Sequence, residues 1–185
     1  MIHRRNALAL LLGAPLLAGC VTARPRLLEP GLEGEYRLAA GDRLRVIVFG
    51  QDDLSNLYTV EPGGTIAMPL IGAVPVAGAT TRIVEARVAE RLRGGFLRDP
   101  QVAVEVDTYR PFFILGEVAS PGQFPYVDAL TVQTAVAVAG GFTPRAARSS
   151  AEITRTVGDA IVTEAVPLSF PVRPGDTIVV AERWL

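Results

Sequence analysis

From Tyr36 onward, apolar and polar positions follow each other in short, regular runs. Arg43-Leu44-Arg45-Val46-Ile47-Val48-Phe49 alternates with a period of two, which predicts a strand opened by the Gly41-Asp42 turn. Tyr58-Thr59-Val60 and Thr65-Ile66-Ala67-Met68 flank Glu61-Pro62-Gly63-Gly64, a pattern that predicts a hairpin. Ile71 to Val76 is apolar but carries Gly72 and Pro75, so it reads as an edge or irregular strand. Residues 80–95 switch to helical spacing: Val84, Val88 and Leu92 recur every four residues with Ile83 beside them. Thr80 or Thr81 supplies the cap, Arg87 and Glu90 take the outer side, and Gly94-Gly95 stops the helix. Gln101 to Thr108 alternates again, with Val102, Val104 and Val106 on one face.

Tyr109-Arg110-Pro111 opens a second unit. Phe112 to Leu115 reads as a buried strand, and Ser120-Pro121-Gly122 as a turn before a strand over Phe124–Val127. Thr131 to Ala139 reads as a short helix ended by Gly140-Gly141. Its residues are small and apolar nearly all round, which predicts enclosure by a sheet or by a neighbouring subunit. Strands over about 151–157, 160–166 and 176–181 complete an α+β pattern. Gly175-Asp176-Thr177-Ile178 echoes Gly41-Asp42-Arg43-Leu44; glycine supplies positive φ and aspartate bonds nearby amides, so the echo is shared turn chemistry and not a duplicated domain.

The N-terminus follows a different logic. Arg4 and Arg5 precede an apolar run from Ala7 to Leu17 that Gly13 and Pro15 interrupt. That run is too short and broken for a bilayer of about 30 Å, so it reads as an export signal over residues 1–19. Leu17-Ala18-Gly19-Cys20 resembles the bacterial lipobox, which implies acylation of Cys20 and a chain that starts there once the signal is removed. Several acyl chains on one residue make a stable anchor, since each buried methylene contributes about 0.8 kcal/mol. Val21 stands where inner-membrane lipoproteins often carry Asp, so the resemblance points to the outer membrane. Residues 20–35 then form a tether.

Composition narrows the chemistry. The 185 residues contain one His, His3, and one Cys, Cys20, and all 18 basic residues are Arg. After removal of the signal, no His-dependent triad, no Cys/His zinc site, no lysine Schiff base and no P-loop lysine is available. A net charge of −1 supplies no basic field for nucleic acid. No cofactor and no metal are expected.

Four segments in order resemble the polysaccharide biosynthesis/export family, outer-membrane lipoproteins of the Wza type. They are Tyr36-Arg-Leu-Ala-Ala-Gly-Asp-Arg-Leu-Arg-Val46 and Glu61-Pro-Gly-Gly-Thr-Ile-Ala-Met-Pro-Leu-Ile-Gly72, followed by Asp99-Pro-Gln-Val-Ala-Val104 and Leu115-Gly-Glu-Val-Ala-Ser-Pro-Gly122 with Ala139-Gly-Gly141. The resemblance implies an export domain at 36–108 and a β-grasp-like SLBB domain at 109–185. It also implies a homo-oligomeric periplasmic ring for capsular or exopolysaccharide export, without enzymatic activity. The implied partners are the polysaccharide, an inner-membrane polysaccharide co-polymerase (often with a tyrosine kinase) and a separate outer-membrane channel. Larger members continue into a second SLBB-type domain and an amphipathic pore helix, whereas this sequence stops at Ala181-Glu-Arg-Trp-Leu185. The expectation is therefore a short form that does not make the pore alone.

Two rival readings follow from the residues. A glycan hydrolase needs paired carboxylates roughly 5–10 Å apart across a cleft; Asp52-Asp53 is the obvious pair, but neighbours in an extended segment diverge. A lipid-anchored glycan-binding module needs exposed aromatics, for which Tyr58, Tyr109, Phe112 and Tyr126 are the candidates, each in a strand-like segment. Arg145 and Arg148 form a basic cluster past the Gly-Gly stop, either a solvated loop or a site that attracts acidic polymer. Glu117, Asp128 and the remaining charges read as surface or turn residues.

Overall fold

The structure, a computed structural model, describes residues 35–158 and 160–183. The expected signal sequence, the lipid-bearing Cys20, all of the tether before Glu35, and Trp184 lie outside the described residues. The chain is α+β, with two hydrophobic cores that follow each other along the sequence.

The first core forms around β1 (Arg43–Val48), the middle strand of an antiparallel sheet between β2 (Asn56–Thr59) and β5 (Val102–Thr108). Alternation places Leu44, Val46 and Val48 inward, while Arg43 and Arg45 point outward and both bond Asp107 at 2.8 Å. Helix α1 (Thr81–Arg93) buries Val84, Val88 and Leu92 in this core, the stripe set by their four-residue spacing. A small hairpin of β3 (Thr65–Met68) and β4 (Gly72–Pro75) closes the unit and contributes Ile66, Met68 and Val74.

The hairpin expected across Glu61–Gly64 does not form as such. Its turn exists, with the Gly64 amide bonding the Glu61 carbonyl at 2.8 Å, but the flanking strands belong to different sheets. Val60 is drawn back onto the Gly41-Asp42 turn: Gly41 N–H donates to its carbonyl and its own N–H donates to Asp42 O. Gly64 O is taken by the Val76 and Ala77 amides, so β3 turns toward β4.

The second core is built on a five-stranded sheet, ordered β7 (Gly122–Phe124), β6 (Phe112–Gly116), β10 (Thr177–Val180), β8 (Ser150–Val157) and β9 (Ala160–Pro167). The last strand in sequence, β10, lies in the middle, parallel to β6 and antiparallel to β8. β7 is three residues long and ends at Phe124, so the strand expected over Phe124–Val127 is displaced toward the turn. Helix α2 (Val132–Val138) is capped by Thr131, whose hydroxyl accepts from Thr134 N. It sets Val132, Ala135, Val136 and the following Ala139 against the sheet in its own core. The sheet encloses one side of the helix; within the single chain Ala137 and Val138 on the other side are exposed, Val138 at 52%.

Candidate functional site

The two Gly-Asp turns are superposable in chemistry and each launches the middle strand of its sheet. Asp42 N–H donates to Ala39 O and Asp42 Oδ2 accepts from Ala39 N at 2.8 Å. Asp176 repeats this with Arg173, accepting from its amide at 2.7 Å. Both carboxylates are buried, Asp42 at 0% and Asp176 at 1% exposure, and each meets an arginine. Arg155 grips Asp176 with Nε at 2.9 Å and Nη2 at 2.7 Å. Asp42 accepts from Arg110 N, Arg110 Nη1 and the Tyr36 hydroxyl. Asp42 and Asp176 bond local amides in their turns as expected, but the turns carry both carboxylates inward. Arg155, expected at the surface or in a turn, is instead buried in β8 because Asp176 needs a cationic partner there.

Arg110 ties the two turns together. A Cβ on Gly41 would stand 3.4 Å from Arg110 Cβ, and one on Gly175 would stand 2.6 Å from Arg110 Nε. Both glycines have positive φ, +93° and +87°, so backbone conformation and space demand the same residue type. The Tyr36, Tyr109 and Tyr126 rings continue this junction as edge-to-face neighbours, with centroids 4.9 and 5.4 Å apart. Burial, and then the Asp42 charge, push the Tyr36 hydroxyl well above its ordinary range.

Beside the junction lies an open cleft of about 380 Å³, lined by Glu35, Tyr36, Thr80, Thr81, Glu105 and Tyr109 among others. It faces the first turn of α1, where Thr80 is the N-cap residue but its side chain caps no amide. Glu35 is held by an ion pair to Arg82. Of the aromatics singled out for sugar stacking, Tyr58 and Phe112 are core, while Tyr109 and Tyr126 are half-buried at this junction. Thr80 and Glu105 carry no sequence signal for such a cleft; it exists only once β5 is brought beside the helix start.

Arg145 reaches Glu117 at 3.3 Å and Glu182 at 3.4 Å, and Arg148 sits 5.9 Å from the centroid of the Phe142 ring. Glu117 also accepts from the Thr143 hydroxyl. Asp52 and Asp53 lie exposed on a single 3-10 turn and neither lines the cleft at Glu35–Tyr109. Among the described residues no group of acids, His or Cys could hold a metal ion. No helix among them is long and apolar enough to cross a membrane.

Comparison with known proteins places this architecture. Residues 31–107 match the family profile of the polysaccharide biosynthesis/export protein, and residues 111–163 match that of the SLBB domain. The exopolysaccharide production protein ExoF of Rhizobium meliloti (strain 1021) is 39% identical over 119 residues, covering 58% of this chain and 28% of that protein. The EPS I polysaccharide export outer membrane protein EpsA of Ralstonia nicotianae (strain ATCC BAA-1114 / GMI1000) is 29% identical over 182 residues, 80% of this chain and 48% of EpsA. The polysialic acid transport protein KpsD of Escherichia coli is 26% identical over 116 residues, 62% of this chain and 21% of KpsD. Alignment with each of these relatives thus covers less than half of that protein's length. With both profiles in tandem over one continuous fold, the chain belongs to the polysaccharide biosynthesis/export protein family.

Proposed function

We propose that this protein is a lipid-anchored, periplasm-facing component of the outer membrane that assembles into a ring and guides polysaccharide out of the cell without breaking a bond. The observation that carries the reading is the export profile followed directly by the SLBB profile, together with similarity to relatives named for polysaccharide export and transport. The chemistry supports it: the motifs that carry the resemblance are turn glycines, buried aspartates and core aliphatics, which build a scaffold. Exposed Phe49, Leu70, Phe96 and Ile161 belong to neither core and suit contact with further copies. The anchor is acylated Cys20, and the domains are 36–108 and 109–185. Partners in this reading are a polysaccharide co-polymerase in the inner membrane and a separate outer-membrane channel.

The test is the native mass of the acylated protein in mild detergent, joined to secreted polysaccharide measured after gene deletion. An oligomer together with lost secretion supports the reading; a monomer in cells that secrete normally overturns it. Cys20→Ser should release the protein from the membrane fraction. Arg145 and Arg148 are the residues we assign to weak contact with acidic polymer. The double substitution to Gln should lower export of an acidic polymer with the native mass unchanged, and unchanged export removes that assignment.

A further inference from the structure

The cleft at the start of α1 offers backbone donors and polar side chains that the fold itself leaves unused, beside two tyrosines of the junction. The amides of Thr81, Arg82 and Ile83 precede the first helical bond, Val84 N–H to Thr80 O, and bond no group among the described residues. Thr80 is only 8% exposed, and its hydroxyl has no partner among the described residues. No fully enclosed side-chain polar atom is unpaired among the described residues, so this hydroxyl reaches solvent, and Thr80 is one of the residues that line the cleft. Glu105, exposed on β5, lines the cleft and forms no ion pair among the described residues. Tyr36 and Tyr109 stand edge-to-face at the rim.

An anion is a poor match, because Glu105 and the Arg82-paired Glu35 already make the cleft acidic. A hydroxyl-rich ring satisfies every part: its oxygens accept from the amides, its hydroxyls donate to Glu105 and Thr80, and its apolar face rests on a tyrosine. The volume of about 380 Å³ falls inside the range of small-molecule sites, roughly 300–1,000 Å³. We infer that this cleft is a subsite for one uncharged pyranose unit of the polymer. The inference rests on the export reading for the polymer's presence, but not for the binding chemistry.

The experiment uses the full-length acylated protein in a detergent without a sugar headgroup. Cellohexaose, mannohexaose and a galactan hexaose serve as neutral probes and a hexagalacturonate as the acidic one, with affinities from saturation-transfer NMR. At least one neutral probe should bind, and more tightly than the acidic one. Thr80→Val should weaken that binding about 2- to 12-fold, the value of one neutral hydrogen bond, and Glu105→Ala about tenfold or more, as for a charged acceptor. Neither residue carries a cap or an ion pair, so both variants should melt with the wild type; the pair guards against one failing to fold. All probes are compared in the Arg145→Gln, Arg148→Gln background, which removes the separate contact proposed for acidic polymer. There, absence of neutral binding, preference for the acidic probe, or undiminished affinity on adding Thr80→Val and on adding Glu105→Ala overturns the subsite. Gene deletion separates the two claims: undiminished secretion overturns the export role, while lost secretion without oligosaccharide binding overturns the subsite alone.

Discussion

At the residue scale, two aspartates of the same motif differ in what stands behind them. Arg155, opposite Asp176, is 5% exposed, and its one remaining polar contact among the described residues is the Pro171 carbonyl, with Phe170 beneath the guanidinium. Asp176→Ala would leave that cation buried without a counter-charge, and removal of one partner of a buried pair costs about 3–5 kcal/mol. Arg110, opposite Asp42, keeps about a quarter of its side chain in solvent, so Asp42→Ala should cost less. Urea titration of both variants tests this order; equal losses would show that Arg155 relaxes to water. The tyrosines provide a pH test. Burial raises the hydroxyl pKa of Tyr36, Tyr58, Tyr109 and Tyr126 above the usual 10. The folded state therefore holds protons that the unfolded state releases above pH 10, so stability is complete below that pH and falls as it rises further. Tyrosinate absorbance should appear together with loss of secondary structure, not ahead of it. The Gly-Asp pairs themselves were legible in the sequence as turns; their burial was not, because local spacing carries no record of Arg155 or Arg110 arriving from distant positions.

At the element scale, the exposed side of α1 does more than face water. Arg87 donates to Pro75 O at 2.8 Å and Arg91 to the carbonyls of Ala73 and Ile71, so the free edge of β4 is covered by guanidinium groups. Glu85 does the same for β5, accepting from Val104 N at 2.9 Å. Uncovered edges are where strands recruit other chains. Replacing Arg87 and Arg91 by Ala should cost about 1–2 kcal/mol, the net value of the bonds lost, and should raise concentration-dependent association, read by light scattering. An unchanged scattering profile would mean that the short β4 is harmless uncovered. Helix α1 and the alternating strands β1 and β5 were readable from periodicity because one face of each packs on the core and the pattern records it. The β2–β3 connection misled because a Pro-Gly-Gly turn specifies a reversal but not which strand waits on the far side. Helix α2 was legible on one side only: Val132, Ala135 and Val136 pack on the sheet of their own core, while its small apolar residues give no periodicity that says what lies against the other side.

At the scale of the molecule, the question is whether two cores behave as one body. Their link is concentrated at Arg110, whose amide and guanidinium bond Asp42, whose Nη1 also bonds the Tyr36 hydroxyl at 2.7 Å, and whose side chain passes against Gly175 of the second unit. The three tyrosines run along the same seam. Thr108 to Pro111 would otherwise be a short tether between units that each possess a complete core, and relative motion is the default for such pairs. Arg110→Ala removes the shared side chain while leaving both Gly-Asp turns with their internal amide bonds. Each unit should therefore stay folded, but the seam should loosen: thermal unfolding should resolve into two transitions, and protease should cut between residues 108 and 111 faster than in the wild type. Arg110→Lys is the sharper variant. Lysine keeps a positive charge near Asp42 but lacks the planar group that lies between the tyrosine hydroxyl and the second turn. If charge alone joins the units, lysine restores a single transition. If the guanidinium acts as a spacer seated against Gly175, lysine behaves as alanine does and the two transitions persist, with both cores intact.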